Sequence, residues 1–419
     1  MPNNHNTYLS AHAPVKNGSA NNSTAVAPSP ILPEKRLSRR TQNFTDSVIR
    51  RMTRIANRYG AINLSQGFPD WDPPVEILQR LREVADIDVH QYSTTWGAQN
   101  LREAIATKQS PRMGWSIDPD SEIIVTCGST EAMMCAMMSV ADPGDEVIIF
   151  SPFYENYGAD SILSGAVPIY VPLRPPSFDI DEQALRAAFA RNPKAIVVCN
   201  PSNPCGKVFT REELELIVHL AQQHNTLIIT DEVYEHIVFE PAVHTYAASL
   251  PGARERTISC SSLSKTYSIT GWRLGYVIAP APIADRIKKV HDFLTVGAPA
   301  PLQEAAVVGL QLPPEYYEEL LEKYTRKRDI LLSGLDAAGL SHSIPQGTYF
   351  VLVDIGEFNA SSDIEFCERL ARDVKVAGVP GSSFFAEPVN NLIRFHFAKN
   401  DDVLKEAVAR LSHIREKMR

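Results

Sequence analysis

The chain has 419 residues, which is more than one minimal core needs, so we expect two domains or one large domain with a smaller partner. Its formal net charge of −8 argues against nucleic acid as a partner, and no apolar run is long enough to span a membrane. The six cysteines form no CxxC pair, so neither a disulfide framework nor a metal site is expected, and we predict a cytoplasmic location.

The first residues differ in composition from the rest of the chain. Residues 1–40 are expected to form a disordered tail, because most of them are Asn, Ser, Ala and Pro and few large apolar side chains are available for burial. An amphipathic helix that packs on the folded body is then predicted from the helical spacing of Phe44, Val48, Met52 and Ile55. Residues 62–74 read as a loop rich in Gly and Pro.

Short apolar strands alternate with helices through the middle of the chain. The predicted strands are residues 122–126, 147–150, 166–171, 195–199, 227–230, 257–260 and 277–279. Nearly continuous apolar strands that alternate with helices are typical of a parallel sheet covered on both faces. We therefore predict an α/β fold whose large domain, residues 60–325, has a mainly parallel mixed sheet flanked by helices.

The last part of the chain has a different pattern. Residues 282–335 are predicted to be helical and to lead into a smaller α+β domain. That domain is expected to contain strands at 347–353 and 392–397 and a closing helix at 402–417. We assign residues 41–59 and 326–419 to it.

Polar residues follow the predicted strands at the point where each strand ends. They are Gly128, Ser129, Thr130, Tyr154, Asn203, Asp231, Tyr234 and Lys265. Parallel strands end at the same edge of a sheet, and ligands of such sheets bind outside that edge. Random polar residues would not all collect there, so we predict one ligand site.

A lysine among small hydroxyl residues stands out in residues 262–275, Ser-Leu-Ser-Lys-Thr-Tyr-Ser-Ile-Thr-Gly-Trp-Arg-Leu-Gly. Lys265 can form an imine with a carbonyl if its amine is not held protonated, and Arg273 offers a cationic fork for a phosphate. A carbonyl and a phosphate together describe pyridoxal 5'-phosphate (PLP), so we predict a PLP site. Taken alone, the stretch could also be a surface lysine in a Ser/Thr loop.

The other polar side chains gain a chemical role if PLP is bound. Lys265 would hold the cofactor and later move protons at the substrate α-carbon, and Asp231 would keep the pyridine nitrogen protonated. Tyr234 and Asn203 could hydrogen-bond the ring oxygen O3', and Tyr154 could stack on the ring.

Two anion sites are also predicted. The phosphate would be held by Arg273, Ser262 and the backbone amides of Gly128, Ser129 and Thr130. Arg394 lies in an otherwise apolar strand, where a cation needs a partner, and a substrate α-carboxylate would provide one.

Each of these residues has a plainer explanation when it is considered alone. Asp231 could be a helix cap, Asn203 a turn residue and Tyr154 a packing residue, and Arg394 could pair with an acid of the protein. The joint pattern favours the PLP site.

The chain from about residue 45 to its end resembles the class I/II aminotransferases, which are PLP-dependent enzymes of fold type I. The resemblance rests on residues 262–265 with 271–275, on 200–206 (Asn-Pro-Ser-Asn-Pro-Cys-Gly), on 231–234 (Asp-Glu-Val-Tyr) and on Arg394. It implies the roles given above for Lys265, Asp231, Tyr234, Asn203, Arg273 and Arg394. It further implies that Tyr92 reaches the phosphate of a neighbouring subunit in a homodimer, and that Gly67 lies near the substrate carboxylate. Cys205 departs from the family's usual threonine.

Residues 63–70, Asn-Leu-Ser-Gln-Gly-Phe-Pro-Asp, are similar to one subgroup of this family. That subgroup contains kynurenine/glutamine and methionine-type transaminases, which implies neutral, sulfur-containing or aromatic amino acids, or glutamine, as donors. No arginine lies between Arg286 and Arg326, roughly the region in which dicarboxylate-specific aspartate transaminases place one.

We therefore predict an aminotransferase that moves an amino group between an L-amino acid and a 2-oxo acid through a Lys265 Schiff base, by a ping-pong mechanism. The alternative is a PLP-dependent lyase, cyclase or oxidative deaminase on the same scaffold, such as a cysteine-conjugate β-lyase. A non-enzymatic PLP-binding regulator would need a DNA-binding domain, and the region before residue 45 is short and polar.

Overall fold

The structure is a computed structural model that describes residues 37–42, 44 and 46–418. Residues 37–42 belong to one compact unit, in which Arg39–Thr41 form a turn of 3₁₀ helix, and the chain from residue 43 belongs to a second unit. The predicted tail, residues 1–40, otherwise lies outside the described residues. No described helix has an apolar stretch long enough to cross a bilayer.

The described part of the second unit has thirteen strands and thirteen α-helices. The strands are β1 (Ile62–Asn63), β2 (Ile123–Thr126), β3 (Glu146–Ser151), β4 (Val167–Arg174), β5 (Asp179–Ile180), β6 (Ala195–Cys199), β7 (Leu227–Asp231), β8 (Thr257–Ser262), β9 (Gly275–Ile278), β10 (Phe350–Asp354), β11 (Val376–Ala377), β12 (Val379–Pro380) and β13 (Leu392–His396). The helices are α1 (Val48–Tyr59), α2 (Val75–Val84), α3 (Gln99–Met113), α4 (Ser129–Val140), α5 (Asn156–Leu163), α6 (Glu182–Phe189), α7 (Arg211–Gln223), α8 (Ala281–Thr295), α9 (Ala300–Leu310), α10 (Pro314–Ala337), α11 (Asp363–Arg369), α12 (Asp401–Leu411) and α13 (Ile414–Met418).

Eight strands form the main sheet in the order β2–β9–β8–β7–β6–β3–β4–β5. The pairs between β8 and β7, β7 and β6, β6 and β3, and β3 and β4 are parallel, whereas β9 runs antiparallel to both β2 and β8. The edge strand β5 is antiparallel to β4. The predicted fold class, a mainly parallel mixed sheet, is therefore confirmed.

The core lies on both faces of this sheet. Alternate residues of a strand face opposite sides, so Ile148 packs into one apolar cluster and Val147 into another. The first cluster takes Leu185 from α6 and Ile217 from α7, and the second takes Ile287 from α8. Burial on both faces explains why these strands read as unbroken apolar runs.

A second, three-stranded antiparallel sheet has the order β10–β13–β12, and β1 pairs in parallel with β11. Because β13 is the central strand, its Arg394 stands opposite Leu352 on one side and Val379 on the other. The division into domains at residues 60–325 and at 41–59 with 326–419 stays a prediction.

The structure differs from the predicted elements in several places. Helices α2, α5 and α11 were not predicted. The strand predicted from residue 347 begins at Phe350, because Thr348 is left-handed (φ 65°) and its hydroxyl accepts the Phe350 amide. The closing helix is broken near Ser412, whose hydroxyl donates to the Ala409 carbonyl.

The first residue of β9 lies very close to the turn that follows β2. Gly275 pairs with Thr126, the last residue of β2. A Cβ atom at Gly275 would lie 2.5 Å from the carbonyl carbon of Gly128 and 2.6 Å from the amide nitrogen of Ser129. Glycine therefore allows this turn to pack directly on β9.

We expect Gly275→Ala to lower the free energy of unfolding by about 1–3 kcal/mol, because the turn must shift to admit the methyl group. Urea unfolding of the purified protein measures the change. Gly271→Ala is the matched control, since a Cβ there has no heavy atom within 4 Å, and it should change stability by less than about 0.5 kcal/mol. Equal effects of the two substitutions would contradict the argument.

Candidate active site

Most of the predicted site residues lie at one edge of the main sheet. Strands β6, β7 and β8 are in register there, because Cys199 pairs with Asp231 and Asp231 pairs with Cys260. The residues that follow this edge are Gly128, Ser129 and Thr130 after β2, Tyr154 after β3, Asn203 after β6, Tyr234 after β7 and Lys265 after β8. Strand β9 is antiparallel to β8 and so begins at the edge where β8 ends. Arg273, which lies just before β9, is therefore at the same edge.

Asp231 ends the central strand β7 and is buried. One carboxylate oxygen accepts a hydrogen bond from the Tyr157 hydroxyl at 2.7 Å, and the other accepts the Val233 amide at 3.4 Å. Burial raises the pKa of Asp231, while the two hydrogen bonds and the positive charge of Lys265 oppose that rise. A carboxylate held in this way is oriented to bind a protonated nitrogen.

A second acid, Asp160, lies one helical turn beyond Tyr157 on α5. Its side chain is buried, and its Oδ2 atom has no hydrogen-bond partner among the described residues. Burial and the charge of Asp231 raise the pKa of Asp160 to about 7. The sequence interpretation missed both Tyr157 and Asp160. The sequence signal that could have indicated Tyr157 was its position three residues after the predicted site residue Tyr154.

The amine of Lys265 faces the loop that contains Gly67. Its Nζ atom lies 3.4 Å from the Gly67 carbonyl oxygen and 5.9 Å from the centre of the Tyr349 ring. The Tyr349 hydroxyl donates to the same carbonyl at 2.9 Å. Two predicted residues, Lys265 and Gly67, are thus brought together. Tyr349 was predicted only as part of the strand at 347–353 and not as a site residue.

Arg273 and the turn after β2 form an anion cradle, which we define as Cys127–Thr130 with Arg273. The Arg273 Nη1 atom donates to the Thr270 carbonyl at 3.0 Å and Nη2 donates to the Cys127 carbonyl at 3.4 Å. A Cβ atom at Gly128 would lie 2.4 Å from Arg273 Nη2. The first amides of α4 have no side-chain cap, so they are available to a ligand.

Ser262 was predicted to help hold a phosphate, and its hydroxyl is already engaged. It donates to the Leu274 carbonyl at 2.9 Å and accepts the Ser264 amide at 3.0 Å. These bonds fix the backbone just before Lys265. A phosphate contact from this hydroxyl stays a prediction.

Arg394 is only 1% exposed, and its guanidinium lies between the rings of Phe350 and Phe384, 4.1 and 4.4 Å from their centres. It donates to Asn203 Oδ1 at 2.6 Å and to the Ser65 carbonyl at 3.1 Å, while its Nε atom has no partner among the described residues. Burial lowers its pKa to about 10, so it stays cationic near neutral pH.

The surroundings of Arg394 fit a carboxylate ligand. Its two hydrogen bonds go to neutral oxygens, from Asn203 and from Ser65, and not to an acid. A buried cation without an anion is costly, and a bidentate carboxylate is its best complement. Ser65 was missed by the sequence interpretation, although it lies in the stretch that contains Gly67.

Three predicted tyrosines have different surroundings. Tyr234 is buried, with its ring 5.2 Å from that of Tyr349, and burial raises its pKa well above the usual range. Tyr154 is partly buried, edge-on to Tyr157 at 5.8 Å, and burial raises its pKa to about 12. Tyr92 is 86% exposed between α2 and α3 and is not brought into these contacts.

A partly buried acid, Glu131, holds the first residue of the anion cradle. Glu131 accepts the amide of Cys127, and its other oxygen lies 2.8 Å from Nδ1 of His291 and 2.6 Å from the Thr295 hydroxyl. The Nε2 atom of His291 lies 2.9 Å from the Thr95 carbonyl. Both ring nitrogens of His291 therefore lie within hydrogen-bond distance of oxygen atoms, which fixes the orientation of the ring.

Cys135 also approaches this pair, so a histidine, a cysteine and a glutamate could in principle hold a metal ion. The Cys135 sulfur lies 4.0 Å from Glu131. Burial and the charge of Glu131 raise the pKa of Cys135 well above its usual range, which keeps the thiol protonated. We therefore interpret Glu131 and His291 as a hydrogen-bonded pair with a structural role.

Known proteins share both this fold and this sequence. The sequence pattern of the protein family described as "Aminotransferase class I and II" matches residues 59–411. A methionine aminotransferase of Escherichia coli (strain K12) is 38% identical, and the match covers 92% of this chain and 99% of the relative. A kynurenine–oxoglutarate transaminase of Dictyostelium discoideum is 33% identical, and the match covers 88% of this chain and 94% of the relative. The structure of N-succinyldiaminopimelate aminotransferase from Mycobacterium tuberculosis has a TM-score of 0.87 at 36% identity, covering 90% of this chain and 99% of that chain.

These relatives are all aminotransferases, and the matches extend over most of both chains. They support the aminotransferase interpretation and not the lyase, cyclase, deaminase or regulator alternatives. Fold, sequence and motifs agree, and the chain belongs to the class I and II aminotransferases, the enzymes of PLP fold type I.

Proposed function

We propose that this aminotransferase uses PLP, held at the edge of the main sheet, to move an amino group between an L-amino acid and a 2-oxo acid. The observation that carries the proposal is the convergence of Lys265, buried Asp231 and the anion cradle at that edge. The donor set fits PLP, because it offers an amine for an aldehyde, an acid for a pyridine nitrogen and cationic and amide groups for a phosphate. Bound PLP would withdraw electrons from the substrate α-carbon.

The chain's residues would then divide the work. Lys265 would hold the cofactor through Nζ and, once an incoming amino group has displaced it, take and return the α-carbon proton. Asp231, oriented by Tyr157, would hold the proton of the pyridine nitrogen. Tyr234 and the Nδ2 atom of Asn203 would hydrogen-bond the ring oxygen, and Tyr154 would cover the ring face.

The remaining predicted residues would hold charged groups of the ligands. Arg273, the amides of Gly128, Ser129 and Thr130, and Ser262 would bind the phosphate. Arg394 would bind the substrate α-carboxylate, beside Asn203 and the loop of Gly67. The carboxylate would supply the anion that this buried guanidinium lacks among the described residues, and it would exclude water from the pocket.

We propose neutral, sulfur-containing or aromatic amino acids, or glutamine, as donors. A methionine aminotransferase and a kynurenine–oxoglutarate transaminase are among the relatives. The absence of arginine between Arg286 and Arg326 also disfavours a second carboxylate on the donor. A cytoplasmic location stays a prediction.

The purified protein with PLP should show an absorbance band that converts on addition of its amino donor and reverts with a 2-oxo acid. A panel of L-amino acids would name the donor class, with methionine or an aromatic amino acid expected to act and aspartate expected to fail. Lys265→Ala should lack the band, because the substitution removes the amine that we propose for the imine. Ammonia release without an oxo acid would instead indicate elimination or oxidation.

Arg394→Lys should raise the KM for the amino donor by about ten- to a hundredfold, because a lysine replaces a bidentate contact with a single charge. The PLP dissociation constant should change much less, because Arg394 contacts the Oδ1 atom of Asn203 and not the Nδ2 atom that we propose for the cofactor ring. Steady-state kinetics and a PLP titration measure both values. Arg372→Lys, at an exposed arginine that pairs with Asp373, is the control. A loss of PLP binding in Arg394→Lys would contradict this role.

We also propose a homodimer in which Tyr92 reaches the phosphate of the neighbouring subunit. Tyr92 and Phe293 are 86% and 91% exposed, and Leu294 and Val296 lie beside Phe293 with almost half of their surface exposed. His291 connects the two segments through Thr95. An exposed aromatic and apolar surface of this kind is typical of a subunit interface.

Phe293→Glu should convert the dimer to a monomer, because it introduces a charge into the proposed interface. Sedimentation velocity measures the mass. PLP should dissociate faster from the monomer, because the proposed contact between the phosphate and Tyr92 of the neighbouring subunit is lost. Val243→Glu, at a valine that is 74% exposed elsewhere on the surface, should leave the dimer intact. A dimer that survives Phe293→Glu would place the interface on another surface.

A further inference from the structure

A polar cluster with no part in the chemistry above lies behind the segment of Lys265. Lys108 of α3 donates to the Tyr267 hydroxyl at 2.9 Å and to the Tyr317 hydroxyl at 2.8 Å. The two hydroxyls are 2.8 Å apart, and the Lys108 amine lies 4.2 Å from the centre of the Tyr317 ring. We call these three residues the Lys108 cluster.

This cluster holds the residues that follow Lys265. Tyr267 is two positions beyond Lys265 and is buried. The neighbouring Tyr316 donates its hydroxyl to the Thr266 carbonyl at 2.6 Å, and its ring stacks on that of Tyr267 at 5.8 Å. Side chains from α3 and α10 thus grip both residues after the lysine.

The next residue of α3 holds the other chemical segment. Gln109 is 1% exposed, and its amide nitrogen donates to the carboxylate of Glu235 at 3.1 Å and to the Tyr276 hydroxyl at 2.7 Å. Glu235 directly follows Tyr234 and also accepts hydrogen bonds from Tyr246 and Ser261. One turn of α3 therefore contacts the segment of Asp231 and Tyr234 as well as the segment of Lys265.

We propose that Lys108 and Gln109 are positioning residues that fix Lys265 and the Asp231–Tyr234 segment relative to each other. They touch neither substrate nor cofactor. They act through Tyr267, which is two positions after Lys265, and through Glu235, which directly follows Tyr234. The proposal deepens the proposed function and rests on it only for the roles of Lys265 and Asp231.

The position of Lys108 also affects the protonation of its amine. Burial lowers its pKa to about 7 from the usual 10.5, while the Glu235 carboxylate opposes the shift and Arg112 adds to it. The other titratable groups near its amine are the hydroxyls of Tyr267 and Tyr317 and the imidazole of His236, whose ring lies 4.5 Å from that of Tyr317.

The lowered pKa has a consequence for stability. Between about pH 7 and 10.5 the unfolded chain binds a proton at Lys108 that the folded chain does not, so stability rises with pH in that window. Below about pH 7 the amine is protonated in both states, so the folded chain bears the full free-energy cost of burying the charged amine. Lys108→Met removes the penalty and leaves the two tyrosine hydroxyls bonded to each other.

The test is hydrogen exchange of the full-length protein, read peptide by peptide, together with thermal unfolding. In Lys108→Met we expect residues 263–269 to exchange about three- to tenfold faster, the range for one lost hydrogen bond, while the unfolding temperature at pH 7 stays equal or rises. Gln109→Leu should speed exchange in residues 232–238 instead. Thr107→Met, at an exposed neighbour on α3, should change neither.

A second variant shows whether Lys108 acts through Tyr267. Tyr267→Phe should reproduce the faster exchange of residues 263–269, and the double variant should add little to either single change. With PLP present, Lys108→Met should also shift the pH midpoint of the absorbance band relative to the wild type.

Two results would overturn the proposal. One is unchanged exchange of residues 263–269 in Lys108→Met, and the other is an increase spread evenly over the protein with a lower unfolding temperature, which would mean an ordinary stabilising contact. Exchange is measured without reference to the cofactor. A wild-type protein that shows no PLP band would therefore refute the proposed function without affecting this result.

Discussion

The parallel, in-register pairing of β6, β7 and β8 is the constraint on which the rest of the site depends. It sets Cys199, Asp231 and Cys260 side by side, so the chain leaves three neighbouring strands at one level of the sheet. Asn203, Tyr234 and Lys265 each follow within five residues. The antiparallel β9 brings Arg273 to the same edge from the opposite direction. Short connections from a rigid sheet hold reacting groups more accurately than long loops could.

Burial shifts the pKa values of these groups, and placing their charges in the protein interior costs free energy of folding. Asp231 is fixed by Tyr157, and the guanidinium of Arg394 lies between two aromatic rings with only neutral oxygens as acceptors. Taking either charge from water costs free energy that a matching ligand charge returns. The Nε atom of Arg394, which has no partner among the described residues, lies where we propose that a substrate carboxylate binds.

Residues that do not face the site also hold its segments in place through hydrogen bonds. Glu131 and His291 connect the anion cradle to Thr95, and Lys108 and Gln109 connect α3 to both chemical segments. These side chains are buried polar groups with most of their hydrogen bonds made. Such networks specify one arrangement of the backbone, at a cost in stability that apolar packing would avoid.

The sequence by itself determined the alternation of strands and helices, the edge at which polar residues collect and the family. These features depend on local apolar runs and on contiguous motifs such as residues 262–275. We did not predict α2 or α5, although α2 is rich in helix-forming residues. The sequence also did not reveal the left-handed Thr348 that delays β10, because threonine has no local preference for that conformation. Only the tertiary structure decided that Tyr157 orients Asp231, that Ser65 and Asn203 bind Arg394, and that Lys108 reaches Tyr267. Those contacts join residues from 74 to 329 positions apart, and no sequence pattern specifies which distant side chains will meet across a folded core.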